Sequence, residues 1–102
     1  MSGKLLIHGL SINFEKRRAT LGGKPLQLTP LEFRLIHLLA SQPGVVFDRE
    51  ALISKVWGKT HLTPRSVDTL VKRLRSKVEP DPTQPGLVLT VWGEGYALAD
   101  VT

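Results

Sequence analysis

The chain has 102 residues, 41% apolar and 23% charged, with 14 Lys and Arg against 9 Asp and Glu for a formal charge of +5 and a pI of about 10.0. This length suits one compact domain, residues 1–102, that buries a core unaided, and the composition is far from the polar, strongly charged bias of disordered chains. With no cysteine, disulfide frameworks, thiolate metal sites and cysteine nucleophiles are excluded, while the excess of cations favours a polyanionic partner.

No apolar run approaches the roughly 20 residues of a membrane span. The first residues lack the charged start, apolar centre and cleavage site of a secretory signal, so a cytoplasmic protein without a membrane partner is expected.

From Lys4 to Leu28 short apolar stretches alternate with turn residues: Leu5 to Ile7, then Leu10, Ile12 and Phe14 at period two, then Ala19 to Leu21, then Leu26 and Leu28. They read as short antiparallel strands. Gly22-Gly23 supplies the positive φ angles of a tight hairpin, and Pro25, which cannot donate to a ladder, marks an edge strand.

At Thr29-Pro30-Leu31-Glu32 the signal changes to a helix start, with Thr at the cap, Pro first and Glu third. Leu31, Leu35, Leu38 and Leu39 form one stripe, and Phe33, Ile36 and Ala40 cover much of the other side, so this helix is expected to be buried on two faces and to stop before Pro43-Gly44. After the extended Val45-Val46-Phe47, Asp48 caps a second helix of two to three turns carrying Leu52, Ile53 and Val56 and ending near Trp57-Gly58. Residues 59–62 form a loop, and Thr63-Pro64 repeats the cap-plus-Pro start of a third helix over about 64–79. Pro80, Pro82 and Pro85 end it, and Leu87 to Val91 with Tyr96 to Leu98 make a terminal hairpin around Trp92-Gly93-Glu94-Gly95.

On the third helix Val67, Val71, Leu74 and Val78 stack on one stripe, which leaves Arg65, Thr69, Lys72, Arg73 and Ser76 outward with Ser66 at the border. Between Thr63 and Val78 stand five Lys or Arg against one Asp, a net of +4. A helix fits the major groove, where Arg bonds guanine O6 and N7 and small residues meet thymine methyls, so Thr69 and Arg73 are candidate base readers. A capped helix, a short loop, a second helix and a hairpin are the parts of a winged helix-turn-helix.

The segments Leu28-Thr29-Pro30-Leu31-Glu32-Phe33, Pro43-Gly44-Val45-Val46, Arg49-Glu50-Ala51-Leu52, Val56-Trp57-Gly58, Arg65-Ser66-Val67-Asp68, Arg73-Leu74-Arg75 and Gly93-Glu94-Gly95-Tyr96 follow in order from about Leu5 to Leu98. By these the chain resembles the OmpR/PhoB-type response-regulator effector domain. The resemblance implies an α+β fold: a four-stranded antiparallel N-terminal sheet, three helices with the third in the major groove, and a C-terminal hairpin, 87–98, as a wing toward the minor groove. It implies sequence-specific double-stranded DNA binding in a two-component system, with tandem direct-repeat half-sites. It further implies a receiver domain, absent from this chain, a sensor kinase, and RNA polymerase contact through the 59–62 loop, whose short, generic sequence also reads as a plain connector.

Carried over by position, Arg65, Ser66, Thr69, Leu70 and Arg73 are base-readout candidates, and Arg49, Trp57, Lys72, Arg75, Thr90 and Tyr96 are backbone candidates. Arg75 has a second reading as an ion pair with Asp68, two turns earlier, while Trp57 and Tyr96 either meet phosphate or serve packing alone. Trp92 stands where the family usually places a minor-groove Arg, and it either lies against deoxyribose or packs beneath the wing. Leu70 stands where relatives often carry a polar residue, so it touches a thymine methyl or extends the core.

His8, His37 and His61 sit on separate elements without catalytic or metal-ligand spacing, so neither an enzyme nor a cofactor site is expected. The rival reading is a winged-helix module whose basic helix docks on an acidic protein. Docking needs only charge, whereas groove reading needs the mixture of cations and hydroxyls found here.

Overall fold

The computed structural model of the chain describes residues 4–7, 9–58 and 63–100. His8 and the whole 59–62 loop, His61 included, lie outside the described residues.

Strands β1 (Lys4–Ile7), β2 (Leu10–Asn13), β3 (Arg18–Leu21) and β4 (Lys24–Pro25) form an antiparallel sheet in that order. Period-two alternation buries Leu10 and Ile12 of β2, and the register sets Ile12 opposite the buried Ala19. Gly22 and Gly23 turn β3 into β4 with φ of 59° and 85°. Pro25 sits on the sheet edge, as expected. The expected strand through Leu26 and Leu28 is not there. Ladder pairing stops at Pro25, the Leu26 N–H donates once more to Ala19 O, and the chain then swings into the cap of the first helix, leaving both leucines half-buried against the core.

Helix α1 (Pro30–Ser41) starts on a closed capping box: the Glu32 N–H donates to Thr29 Oγ1 at 3.2 Å and the Thr29 N–H donates to Glu32 Oε1 at 2.9 Å. The helix is buried on two faces. Phe33 and His37 meet Arg17 and Phe14 from the turn between β2 and β3, while Glu32 reaches Lys77 on the third helix. Leu35, Ile36 and Leu39 are fully enclosed, and each contributes about 2 kcal/mol of burial.

Helix α2 (Arg49–Leu52) is capped by Asp48, which accepts from the Ala51 N–H at 2.7 Å. The second half of this expected α-helix is a π-helical turn, Ile53–Trp57, closed by Gly58 in the left-handed conformation. Leu52, Ile53 and Val56 are buried, and their spacing does not distinguish α from π pitch.

Helix α3 (Pro64–Val78) leads through the proline elbow to β5 (Val88–Val91) and β6 (Gly95–Leu98). The buried Glu79 carboxylate fixes this exit by accepting from the N–H groups of Gly86, Leu87 and Val88. Phe47 pairs with Tyr96, exchanging both backbone hydrogen bonds at 2.8 and 3.0 Å, which ties the hairpin to the approach to α2. That close approach needs glycine beside it: a Cβ on Gly95 would lie 2.0 Å from Phe47 O.

Candidate nucleic-acid interface

Val67, Val71, Leu74 and Val78 are buried along one side of α3, so the opposite side stands in solvent. Arg65, Thr69, Lys72, Arg73 and Ser76 are exposed there and Ser66 is half-buried, as the periodicity predicts. No carboxylate interrupts this face. The Ser76 hydroxyl is spent on its own helix, donating to Arg73 O at 2.6 Å.

The flank of α3 toward the hairpin is built differently. Asp68 accepts from Arg49 Nε of α2 at 3.0 Å and from the Tyr96 hydroxyl of β6 at 2.7 Å, so one carboxylate joins both helices and the hairpin. Arg49 and Asp68 are each partly exposed, so solvent screens the pair and it adds little to stability. Its contribution is geometric. Asp68, with the Tyr96 hydroxyl beside it, raises the Arg49 pKa; burial, then the bond to Asp68, pushes the Tyr96 phenol above its ordinary value, against the opposing pull of Arg49. Tyr96 therefore remains a neutral donor.

One turn pair further along, Arg75 donates through Nε and Nη2 to Val88 O at 3.0 and 2.8 Å and through Nη2 to Thr90 Oγ1 at 2.7 Å, with its guanidinium 5.6 Å from the Tyr96 ring centre. Bidentate bonds from a charged fork are among the stronger hydrogen bonds. The hairpin is thus held to α3 as one body. Between them a cleft of about 740 Å³ opens, lined by Asp48, Glu50, Asp68, Arg75 and the hairpin from Thr90 to Tyr96. The hairpin tip is Trp92-Gly93-Glu94, and Trp92 is 90% exposed.

The family described as transcriptional regulatory protein, C terminal, matches residues 23–98. The chain belongs to that family. The DNA-binding response regulator MtrA of Mycobacterium tuberculosis is 45% identical over 93 residues, covering 90% of this chain and 41% of that protein. The response regulator DrrB, a Thermotoga maritima OmpR/PhoB homolog, superposes with a TM-score of 0.90 at 35% identity over 96% of this chain and 45% of that one. The RstA DNA-binding domain of Klebsiella pneumoniae, solved in complex with RstA box, gives a TM-score of 0.85 at 33% identity, covering 94% of this chain and 96% of that one. The chain spans about two fifths of the length of the curated relatives it matches. The fold is accordingly that of an OmpR/PhoB-type winged helix-turn-helix domain.

Within this family domain, the structure sorts the candidate residues. Arg65, Ser66, Thr69, Lys72 and Arg73 come together on one face of α3. Leu70 does not join them: at 5% exposure it extends the core, because it lies on the flank turned toward the buried stripe. Arg75 is engaged by the hairpin, and in place of the alternative ion pair between Arg75 and Asp68 the carboxylate pairs with Arg49. Thr90 and Tyr96 serve the same lock, and Tyr96 is 7% exposed. Trp57 is half-buried against the core. Trp92 does not pack beneath the wing, since nothing covers it. Lys77, which is not on this face, is engaged elsewhere: its ammonium donates to Glu32 at 2.6 Å and to Gln27 O at 2.7 Å. Of the five cations on α3, three remain turned to solvent.

Two organising residues carried little signal in the sequence. Glu79 carries a faint one, since a carboxylate at a helix C-terminus opposes the helix dipole and so implies another employer. Asp68 reads in the sequence only as a neighbour of Arg75 on the helix, because its actual partners lie 19 residues before and 28 after it.

Proposed function

We propose that the chain binds double-stranded DNA sequence-specifically, as the output domain of a two-component response regulator that controls transcription. The observation that carries this reading is the carboxylate-free outer face of α3, where Arg65, Thr69, Lys72 and Arg73 stand beside a hairpin fixed to the same helix. In this reading α3 enters the major groove. Arg73 and Arg65 bond guanine edges, the Thr69 methyl meets thymine, and Lys72 meets phosphate. Gly93 and Glu94 carry the exposed Trp92 toward the sugars of the adjacent minor groove, where its indole offers flat apolar contact in place of a cation. The RstA domain solved with RstA box, alike over nearly the whole of both chains, supports this placement.

The same reading includes a receiver domain, a sensor kinase and direct-repeat half-sites in the cytoplasm, with two domains bound in tandem. Among the described residues no helix is long and apolar enough to cross a membrane. RNA polymerase contact through the 59–62 loop belongs to this reading by family resemblance alone.

The test is fluorescence-anisotropy titration with duplex DNA pools at several salt concentrations, followed by sequencing of the selected duplexes. A short enriched half-site is expected, with log K falling by about 0.9 per phosphate contact for each decade of salt. No sequence preference and no affinity at low salt would overturn the reading.

A further inference from the structure

We infer that the chain carries a second recognition surface, on the side of α1 turned away from α3, shaped for an acidic and partly apolar segment of a protein partner. The surface is a cleft of about 440 Å³ between the β2–β3 turn, α1 and the π-helical turn, lined by Arg17, Arg34, His37, Leu38, Ser41 and Lys55. It holds three permanent cations and no carboxylate.

Its direction follows from the helix period. Glu32, Leu35, Ile36 and Leu39 mark the side of α1 toward α3, anchored by the 2.6 Å contact between Glu32 and Lys77. Arg34, His37, Leu38 and Ser41 lie half a turn away at about 100° per residue. The cleft therefore looks the opposite way from α3, and a duplex seated on the outer face of α3 leaves it open to solvent.

The cations are placed without being neutralised. Arg34 Nη1 donates to Val56 O at 3.4 Å, and the Arg17 guanidinium lies 5.0 Å from the Phe33 ring centre. Arg17 is held there by a left-handed backbone, φ 53°, and among the described residues no other non-glycine has positive φ. Neither arginine nor Lys55 forms an ion pair among the described residues, in contrast to Arg49 and Lys77.

The floor decides the kind of partner. The floor is His37 and half-buried Leu38: the imidazole is backed by Phe14, stacked on it at 4.5 Å, and burial, with Arg17 nearby, holds its pKa below the ordinary value, so the floor is uncharged. A sugar-phosphate backbone would use the rim alone. A peptide alternating carboxylates with apolar side chains uses rim and floor together.

The experiment titrates the isotope-labelled chain, without DNA, with a short synthetic peptide alternating glutamate and leucine, and follows backbone amide shifts. Changes should cluster at Arg17, Arg34, His37, Leu38, Ser41 and Lys55. The R34E/K55E double variant should weaken the peptide by about tenfold or more while duplex affinity stays within about twofold. K55E alone, at an exposed position, and R17G, which relieves the left-handed strain, should weaken it without lowering the melting temperature. Shifts centred on Arg65, Lys72 and Arg73, no shifts at millimolar peptide, or a mixed-sequence duplex displacing the peptide from the cleft would each overturn the inference. Because the readout needs no DNA, its failure is separate from a failure of the α3 reading.

Discussion

Helices α1 and α3 both open on Thr-Pro, yet they are built for opposite ends. In α1 the third helical residue is Glu32, so the capping box closes, and the same carboxylate then receives Lys77 from α3. In α3 the third residue is Ser66, no box forms, and the Thr63 hydroxyl makes no cap bond, although the Ser66 N–H still donates to Thr63 O. The Thr-Pro signal thus marks where a helix starts but not whether its end is sealed. The second difference is the number of buried faces: two on α1, one on α3. Helix α1 is fixed by apolar enclosure. Helix α3 is fixed by one buried apolar stripe together with polar ties from Asp68, Arg75 and Lys77 at its base and flank, and its outer face is left unengaged.

The comparison breaks most visibly in the core. Leu35→Ala on α1 should cost about 2–5 kcal/mol, read as a shift in denaturation midpoint, because a fully enclosed side chain leaves a cavity. A cost below about 1 kcal/mol would mean that α1 is not fixed by apolar enclosure. On α3 the opposite division is expected. Arg73→Ala should leave stability within about 0.5 kcal/mol of the parent and relax base preference by about 1–3 kcal/mol at one position. Lys72→Ala should instead weaken all duplexes alike and reduce the salt slope by about one.

The two starts are separated by a smaller measurement. Thr29→Ala should lower stability by about 1 kcal/mol, since it opens a formed cap. Thr63→Ala should change it by less than about 0.5 kcal/mol, since no side-chain bond is lost. Equal effects would show that both caps operate in solution.

Much of this was readable in the sequence. The Thr29 to Glu32 box, the Gly22-Gly23 turn, the proline elbow and the valine-leucine stripe of α3 are local signals that tertiary structure did not override. What escaped lies at helix flanks. Periodicity assigns a side chain to the core or to solvent, but at a flank the outcome depends on which element stands alongside. Leu70 and Arg75 show this: the first meets the core, and the second meets a strand 13 residues later. The π-helical turn escaped for a related reason, because its apolar spacing is that of an α-helix. Trp92 was ambiguous because a hairpin tip has no periodicity to consult.

The finest test of the contrast is the ion that joins the two helices. Burial acts first on Glu32 and raises its pKa, but the bond from Lys77, the Thr29 bonds and the Lys77 charge together carry it below its ordinary 4.5. A depressed folded pKa means that the unfolded chain binds more protons in this window. Stability from Glu32 is therefore present above pH 4.5 and lost as pH falls through the folded value. His37 gives an earlier loss of the same sign, because burial and Arg17 lower its pKa from 6.5 and its contribution fades as pH drops below that point. Melting temperatures between neutral pH and pH 3 should fall in these two stages. Lys77→Ala should flatten the acid stage alone, since burial then acts on Glu32 with less opposition, and it should leave the His37 stage in place. If Lys77→Ala flattened both stages, or neither, Lys77 would not be the tie that holds α3 to the sealed end of α1.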